Sequence, residues 1–299
     1  MGGQTPETDW ELIVRRDLAP HLLPAGRLGG MRRPADAAWL PDGAYLAVVD
    51  RVGRVGLEDL LVVPAATWPA EPWRGRCLYS PLCVLAIGER GVALWVQALP
   101  APSVRAWVPL EEIAAVEQRA DGRRGVLAVT GSAATLLVRY HADGQAVADA
   151  WTRRLRQRAA AAPAPVPSQP GVREPRGGAD PGSLLLAPGD AVVSAGWRSR
   201  AGRGTCLFAV TSRELVIAQS ARGRRRPWRR STRTLCAPRG PVEDAVVRSR
   251  TVLLRSAGTE VRFSLRSRTV AAAASSWLRW ILADRGQVRA GGHGDGTRQ

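Results

Sequence analysis

Apolar and polar positions alternate with a period of two along many short stretches of this chain, and switch to a helical period at two places. Leu136, Val138 and Tyr140 alternate, and so do Val261, Phe263 and Leu265, so each stretch predicts a strand that buries one face. In the second half the pattern places strands near Ala191–Trp197, Thr205–Val210, Leu215–Ser220, Arg233–Cys236, Ala245–Arg248, Thr251–Ser256 and Glu260–Leu265. A helix follows over about Thr269–Ala283, with Val270, Ala274, Trp277 and Ile281 on one stripe. In the first half a helix is predicted over Gly144–Arg158, with Val147, Trp151 and Leu155 four apart and Arg153, Arg154 and Arg156 on its outer face. Trp151, Trp277 and Trp280 read as core packing, as aromatics on an amphipathic stripe usually are.

The halves read as diverged copies of one unit. Ala86–Trp95 (AIGERGVALW) matches Ala209–Ala218 (AVTSRELVIA), each a strand, a polar turn at Arg90 or Arg213, and a second strand. Val116–Glu117 pairs with Val242–Glu243, Val126–Leu127 with Val252–Leu253 and Trp151 with Trp277, each time 126 residues on. An ordered series of matches at a nearly constant offset is the signature of an internal repeat.

Between the copies, the Ala/Pro/Gly run at Ala159–Gly182 has no apolar period and reads as a semi-stiff linker. The expected organisation is an N-terminal segment at 1–56, a first module at 57–158, a linker at 159–183, a second module at 184–284 and a disordered tail at 285–299. In the N-terminal segment, Asp9–Leu18 is predicted as a short capped helix and Leu46–Asp50 as a strand. The Pro-rich opening VPAATWPAEPWRGR leaves the first strand of the first module unplaced.

Several short strands closed by one amphipathic helix resemble a pleckstrin-homology-like domain, in particular its divergent bacterial versions. The resemblance rests on ADGQAVADAWTRRL and SRTVAAAASSWLRWI and covers about residues 57–158 and 184–284. It implies a mainly β fold with one C-terminal helix per module: two tandem β-sandwich or barrel domains, with the helix Trp packed against one open end. It also implies that the loops at one end hold anionic headgroups through basic residues.

Charge sharpens that expectation. All 43 basic residues are Arg, and a GC-rich coding sequence accounts for part of that excess. It does not account for the distribution. Residues 1–160 carry 19 Arg against 17 acids, and residues 161–299 carry 24 against 9, or +2 against +15. A basic half calls for an anionic partner. The densest run, Arg222–Arg233, has seven Arg and no acid, with Trp228 inside, and falls between two predicted strands. Arg forks grip phosphates bidentately, and a Trp face stacks on a base or sits in a headgroup layer. The candidate anion-binding residues are Arg222, Arg224, Arg225, Arg226, Trp228, Arg229 and Arg230, with Arg198, Arg200 and Arg203 in the first strand-to-strand loop.

Catalytic patterns are missing from the sequence. Without lysine there is no Walker A motif and no Schiff-base chemistry. His21, His141 and His293 have no zinc spacing, no Cys-x-x-Cys pair exists, and His141 reads as a solvated loop residue rather than a base. Glu111 and Glu112 read as solvated. Cys77, Cys83, Cys206 and Cys236 are expected as reduced, buried thiols. Glu7, Asp9 and Glu11 interrupt any secretory apolar region, and no apolar run is long enough to span a bilayer. The sequence therefore predicts a non-enzymatic, cofactor-free binding or scaffold protein in the cytoplasm, peripheral to the membrane, whose second module contacts an acidic lipid or protein surface. The alternative is nucleic-acid binding by the same Arg/Trp loop.

Overall fold

The computed structural model describes residues 56–64, 66–69, 77–96, 104–121, 124–160, 193–198, 204–222, 230–265 and, apart from 269, 268–279. The chain divides into two compact units, Met1–Ala159 and Ala160–Gln299, both mainly β with few helices. The predicted N-terminal helix and strand, most of the linker and the tail lie outside the described residues.

The first unit begins with β1 (Leu57–Val63), β2 (Ala66–Pro69) and β3 (Cys77–Ser80), followed by β4 (Cys83–Gly88), β5 (Gly91–Val96) and β6 (Val104–Pro109). It continues with β7 (Ile113–Asp121), β8 (Arg124–Gly131), β9 (Thr135–His141) and the helix α1 (Gln145–Ala159). β1, β4, β5 and β6 pair antiparallel in that order, β7 to β9 form a second antiparallel meander, and β2–β3 is a separate hairpin. Pro109 ends β6, and a 3-10 turn at Leu110–Glu112 redirects the chain before β7. The two ladders of this unit therefore stay separate, and its sheets are open rather than closed into the barrel that was one form of the expectation.

The core lies where the two ladders and α1 meet. Leu61, Leu85 and Leu94 from the first ladder, Val129, Val138 and Tyr140 from the second, and Trp151 and Leu155 from α1 form one buried cluster. Trp151 is fully buried. The buried stripe of α1 is Ala148, Trp151, Thr152, Leu155 and Arg156. It contains Trp151 and Leu155 of the predicted stripe, with Val147 half-buried against the same cluster, but it is wider by Ala148, Thr152 and Arg156, so Arg156, expected on the outer face, is buried. The spacing of four from Ala148 through Thr152 to Arg156 is as good a helical stripe as the apolar one chosen from sequence. Arg154 and Arg158 stay outside and reach Glu58 of β1 at 3.4 and 2.7 Å.

The first ladder is apolar on both faces. Every residue of β4 and β5 is buried, and Leu60, Val62, Val84, Ala86, Ala93 and Trp95 form a cluster on the face away from Trp151. Such strands read as continuous apolar runs, not as alternation.

Tyr140 fixes the size of one neighbour. Gly125 pairs with it across β8–β9, and a Cβ built on Gly125 would lie 2.2 Å from the Tyr140 ring. The ring is buried and its hydroxyl donates to Gln145 Oε1 at 2.9 Å, so it has little room to yield. Gly125→Ala is expected to cost about 1–3 kcal/mol by overpacking. Chemical denaturation measures it, and a midpoint equal to that of the parent refutes it.

The second unit repeats the order. β10 (Val193–Arg198), β11 (Gly204–Val210), β12 (Glu214–Arg222) and β13 (Arg230–Pro238) form one meander, and β14 (Val242–Arg248), β15 (Thr251–Ser256) and β16 (Thr259–Ser264) another. A helix, α2, covers residues 270–279. All seven strands predicted for this half are present. Trp277 is buried and meets Phe208 edge-on, with ring centroids 5.7 Å apart.

Rung by rung, the register aligns the units but not at one offset. Leu61–Leu85–Leu94–Ala106 corresponds to Ala195–Phe208–Ile217–Leu235. Leu110 N donates to the Arg90 carbonyl as Arg239 N donates to that of Arg213, each just after the proline that ends a strand. The Ala86–Trp95 match with Ala209–Ala218, 123 apart, is in register as read from sequence. Two other matches are not. Ile113, before a bulge, corresponds to Val242 before the equivalent bulge, 129 apart, so Val116 matches Ala245 and not Val242. Leu127 and Val129, not Val126, match Val252 and Leu254, 125 apart and buried alike. The drop of four is the β14–β15 hairpin, which turns two rungs earlier than β7–β8. Trp151 and Trp277 stand 126 apart as expected, because one further residue enters before the helix.

Cys83 and Cys206 occupy equivalent buried positions, and burial pushes both thiols up from 9.0 to about 12, with Arg139 partly offsetting the effect at Cys83. The unfolded chain ionises near the ordinary value while the folded chain holds the thiols neutral. Their contribution is therefore fully present below about pH 9 and is lost as pH rises towards about 12. Each thiol should cost on the order of 1 kcal/mol per pH unit across that window. Melting from pH 8 upward should show a steeper decline for the parent than for Cys83→Ala/Cys206→Ala. Parallel declines would assign alkaline loss to other groups.

Candidate anion-binding end of the second unit

The register of β10 to β13 decides where the predicted arginines sit. Arg198 is the last residue of β10 and pairs with Thr205. Thr205 pairs with Ser220, and Ser220 with Thr232. One row thus crosses the meander as Arg198–Thr205–Ser220–Thr232, tied in the middle by a 2.7 Å bond between the Thr205 and Ser220 hydroxyls. The β10–β11 connection (199–203) and the β12–β13 connection (223–229) leave from the same end of the sheet, just beyond this row. The strand ends that flank two arginine-bearing segments, about twenty residues apart in sequence, therefore lie at one end of the sheet.

Each candidate has a definite place relative to that end. Arg198 closes β10, and Arg222 and Arg230 face each other across the last rung of β12–β13. Arg200, Arg203, Arg224, Arg225, Arg226, Trp228 and Arg229 belong to the two connections and lie outside the described residues. Arg233 ends the same sequence run but has structural work. Its guanidinium lies 4.3 Å from the centre of the Phe263 ring and its Nη2 donates to the Arg262 carbonyl at 3.1 Å, which ties β13 to β16.

Comparison of the units shows what is special about this end. In the first unit β5–β6 pairs as far as Val96 and Val104 and is joined by seven uncharged residues, QALPAPS. The corresponding rung in the second unit is Gln219 with Arg233. β12–β13 continues for three more rungs, Ser220–Thr232, Ala221–Ser231 and Arg222–Arg230, before seven residues that read GRRRPWR. The second unit therefore carries a hairpin lengthened by six residues, whose neutral tip is exchanged for a cationic, Trp-bearing one. Sequence reading found the arginines but had no means of seeing the extension, because the offset change is legible only once the rungs are known.

Elsewhere the chemistry is slight. His141 Nδ1 lies 2.9 Å from Asp143 Oδ2 on an exposed turn that leads into α1. Glu111 and Glu112 sit in the 3-10 turn after Pro109, with Glu112 accepting from the Ser132 hydroxyl. Among the described residues no group of three or more His, Cys, Asp or Glu is placed to hold a metal ion, and no helix is long and apolar enough to cross a membrane. Compared with family models, curated proteins and solved structures, the chain matches none.

Proposed function

We propose that this protein is a non-enzymatic binding or scaffold protein made of two tandem pleckstrin-homology-like modules, and that the second module contacts an anionic surface through the basic end of its first sheet. The observation that carries this reading is the lengthened β12–β13 ladder, whose connecting sequence is GRRRPWR and whose last rungs lie at the same end of the sheet as the ends of β10 and β11, between which Arg200 and Arg203 fall in sequence. The architecture half of the proposal is supported by two units with the same strand order, matching rungs and a C-terminal helix that buries one Trp. The charge half is supported by the contrast of +15 with +2 and by the uncharged tip at the equivalent place in the first unit.

An acidic lipid or protein surface suits a single cationic connection with one Trp better than nucleic acid does, since a strand of nucleic acid is usually tracked along a charged groove with repeated stacking platforms. The test is sedimentation of the full chain with phosphatidylcholine vesicles, with and without phosphatidylserine, in the presence of increasing oligonucleotide. Binding that requires the acidic lipid and resists the competitor supports the proposal. Binding abolished by substoichiometric oligonucleotide assigns the hairpin to nucleic acid instead.

A further inference from the structure

The second meander of the second unit ends in a strand with one open side. β14 pairs with β15 and with no other strand among the described residues. The two are joined by Ser249 and Arg250, with Ser249 at φ 54°. In such a two-residue hairpin the closing pair, Arg248–Thr251, is hydrogen-bonded, so the bonds to β15 fall at Arg248, Val246 and Asp244. The backbone groups of Ala245 and Val247 point the other way. The Ala245 N–H accordingly donates to Asp244 Oδ1, at 2.8 Å, on its own strand.

Edge strands are usually blunted by charge or proline. β14 instead presents Val246, 41% exposed and the one large apolar side chain that stands exposed among the described residues. Val246 lies opposite the half-buried Leu253 of β15. Asp244 and Arg248, two residues to either side, share its face by alternation and are exposed as well. The equivalent strand of the first unit is made differently. β7 carries Ala115, Glu117 and Arg119 at these three rungs, and Glu117 and Arg119 are ion-paired to each other.

We infer that β14 is a pairing edge for a second copy of this chain, joined antiparallel about a two-fold axis at Val246. In that register Val246 meets the partner's Val246, and Asp244 and Arg248 meet the partner's Arg248 and the partner's Asp244. Ala245 meets the partner's Val247, so the hydrogen-bonded rungs fall where the outward backbone groups are. The Ala245 N–H passes from the Asp244 carboxylate to a carbonyl, which releases that carboxylate to the arginine. A slip of one residue would set the buried face of one strand against the wet face of the other. Moving the axis to Ala245 or to Val247 sets a charged residue against Val246. Opposite charges across a ladder stabilise it and like charges destabilise it, so the sequence of β14 selects the register centred on Val246. An isologous edge closes on itself, which makes a dimer and not a fibre. The contact from Asp244 to Arg248 is short, so the dimer is weak and depends on concentration. It is independent of the anionic-surface reading.

Sedimentation velocity of the full chain over a concentration series should show a monomer–dimer equilibrium. Arg248→Glu sets acid against acid at both symmetric places and should weaken association about tenfold or more. Asp244→Arg/Arg248→Glu restores opposite charges and should return association to within a few-fold of the parent, a rescue that damage to the fold does not give. A covalent readout stands beside these variants. Residues opposite one another in a non-hydrogen-bonded antiparallel pair have Cα atoms about 4.5 Å apart, within reach of a disulfide. Val246→Cys should therefore oxidise to a covalent dimer faster than the parent, and faster than Arg255→Cys, which is exposed one strand further in. The pairing is overturned by a parent that stays monomeric at every concentration, or by equal association of the parent and Arg248→Glu. A double variant no better than the single one, or cross-linking of Val246→Cys no faster than of Arg255→Cys, overturns it equally.

Discussion

Trp151→Ala should destabilise the first unit by about 3–5 kcal/mol, the range for truncating a large aromatic in a core. Trp151 is fully buried among Leu85, Leu94, Val138 and Tyr140, so its removal opens a void lined from both ladders. Nothing short of a shift of α1 refills it, and Arg154 and Arg158, held on Glu58, oppose that shift. Trp277→Ala should cost nearly as much in the second unit, where the ring is 7% exposed and sets its edge against Phe208. A loss of this size lowers a melting midpoint by roughly 10 °C in a unit of this length. Calorimetry on the two single variants checks it. A shift of less than a degree for either would show that the helix Trp does not carry the core of its unit.

How far the sequence could anticipate this fold is best seen at particular residues. Strands with one wet face announce themselves: Val261, Phe263 and Leu265 are buried, while Glu260, Arg262 and Ser264 between them are exposed. β4 and β5 are harder, because a run buried on both faces has no period, and only the turn at Glu89–Arg90 separates them. The Ala86–Trp95 match was placed correctly because both copies carry a four-residue link between Ile87 and Val92, or Val210 and Leu215. The matches at Val116 and Val126 slipped because hairpins changed length on either side, by six residues at β12–β13 and four at β14–β15. Such changes cancel nearly enough to mimic one offset of 126, and hydrophobic Ala, Val and Leu are too interchangeable to expose the slip.

The candidate site was legible in composition but not in layout. A run of arginine stands out in any sequence. That Arg198 and Arg222 end strands at the same end of one sheet, with β11 between them, follows only from register, through Thr205 and Ser220. That Arg233 is diverted to Phe263 follows only from the packing of β13 on β16. The β2–β3 hairpin was hidden by its own prolines, which lower strand propensity at the positions where the ladder is interrupted.

Replacing Arg224, Arg225 and Arg226 with Ser should weaken binding to acidic vesicles about a hundredfold at low salt. An arginine near an anionic membrane surface contributes about 1 kcal/mol, so three contribute about 3 kcal/mol, and each 1.4 kcal/mol is a factor of ten. The effect should shrink as salt rises, because the attraction being removed is the part that ions screen. Melting temperature should be unchanged, since these residues come after the last rung of β12–β13. Trp228→Ala should instead lower affinity by a factor that salt alters little, because interfacial insertion is not driven by charge. The decisive measurement is the affinity of the parent and of the triple-Ser chain for phosphatidylserine-containing vesicles as a function of salt. Two curves far apart at low salt that converge as salt rises are expected, and two superimposed curves would show that these arginines do not contact the acidic surface.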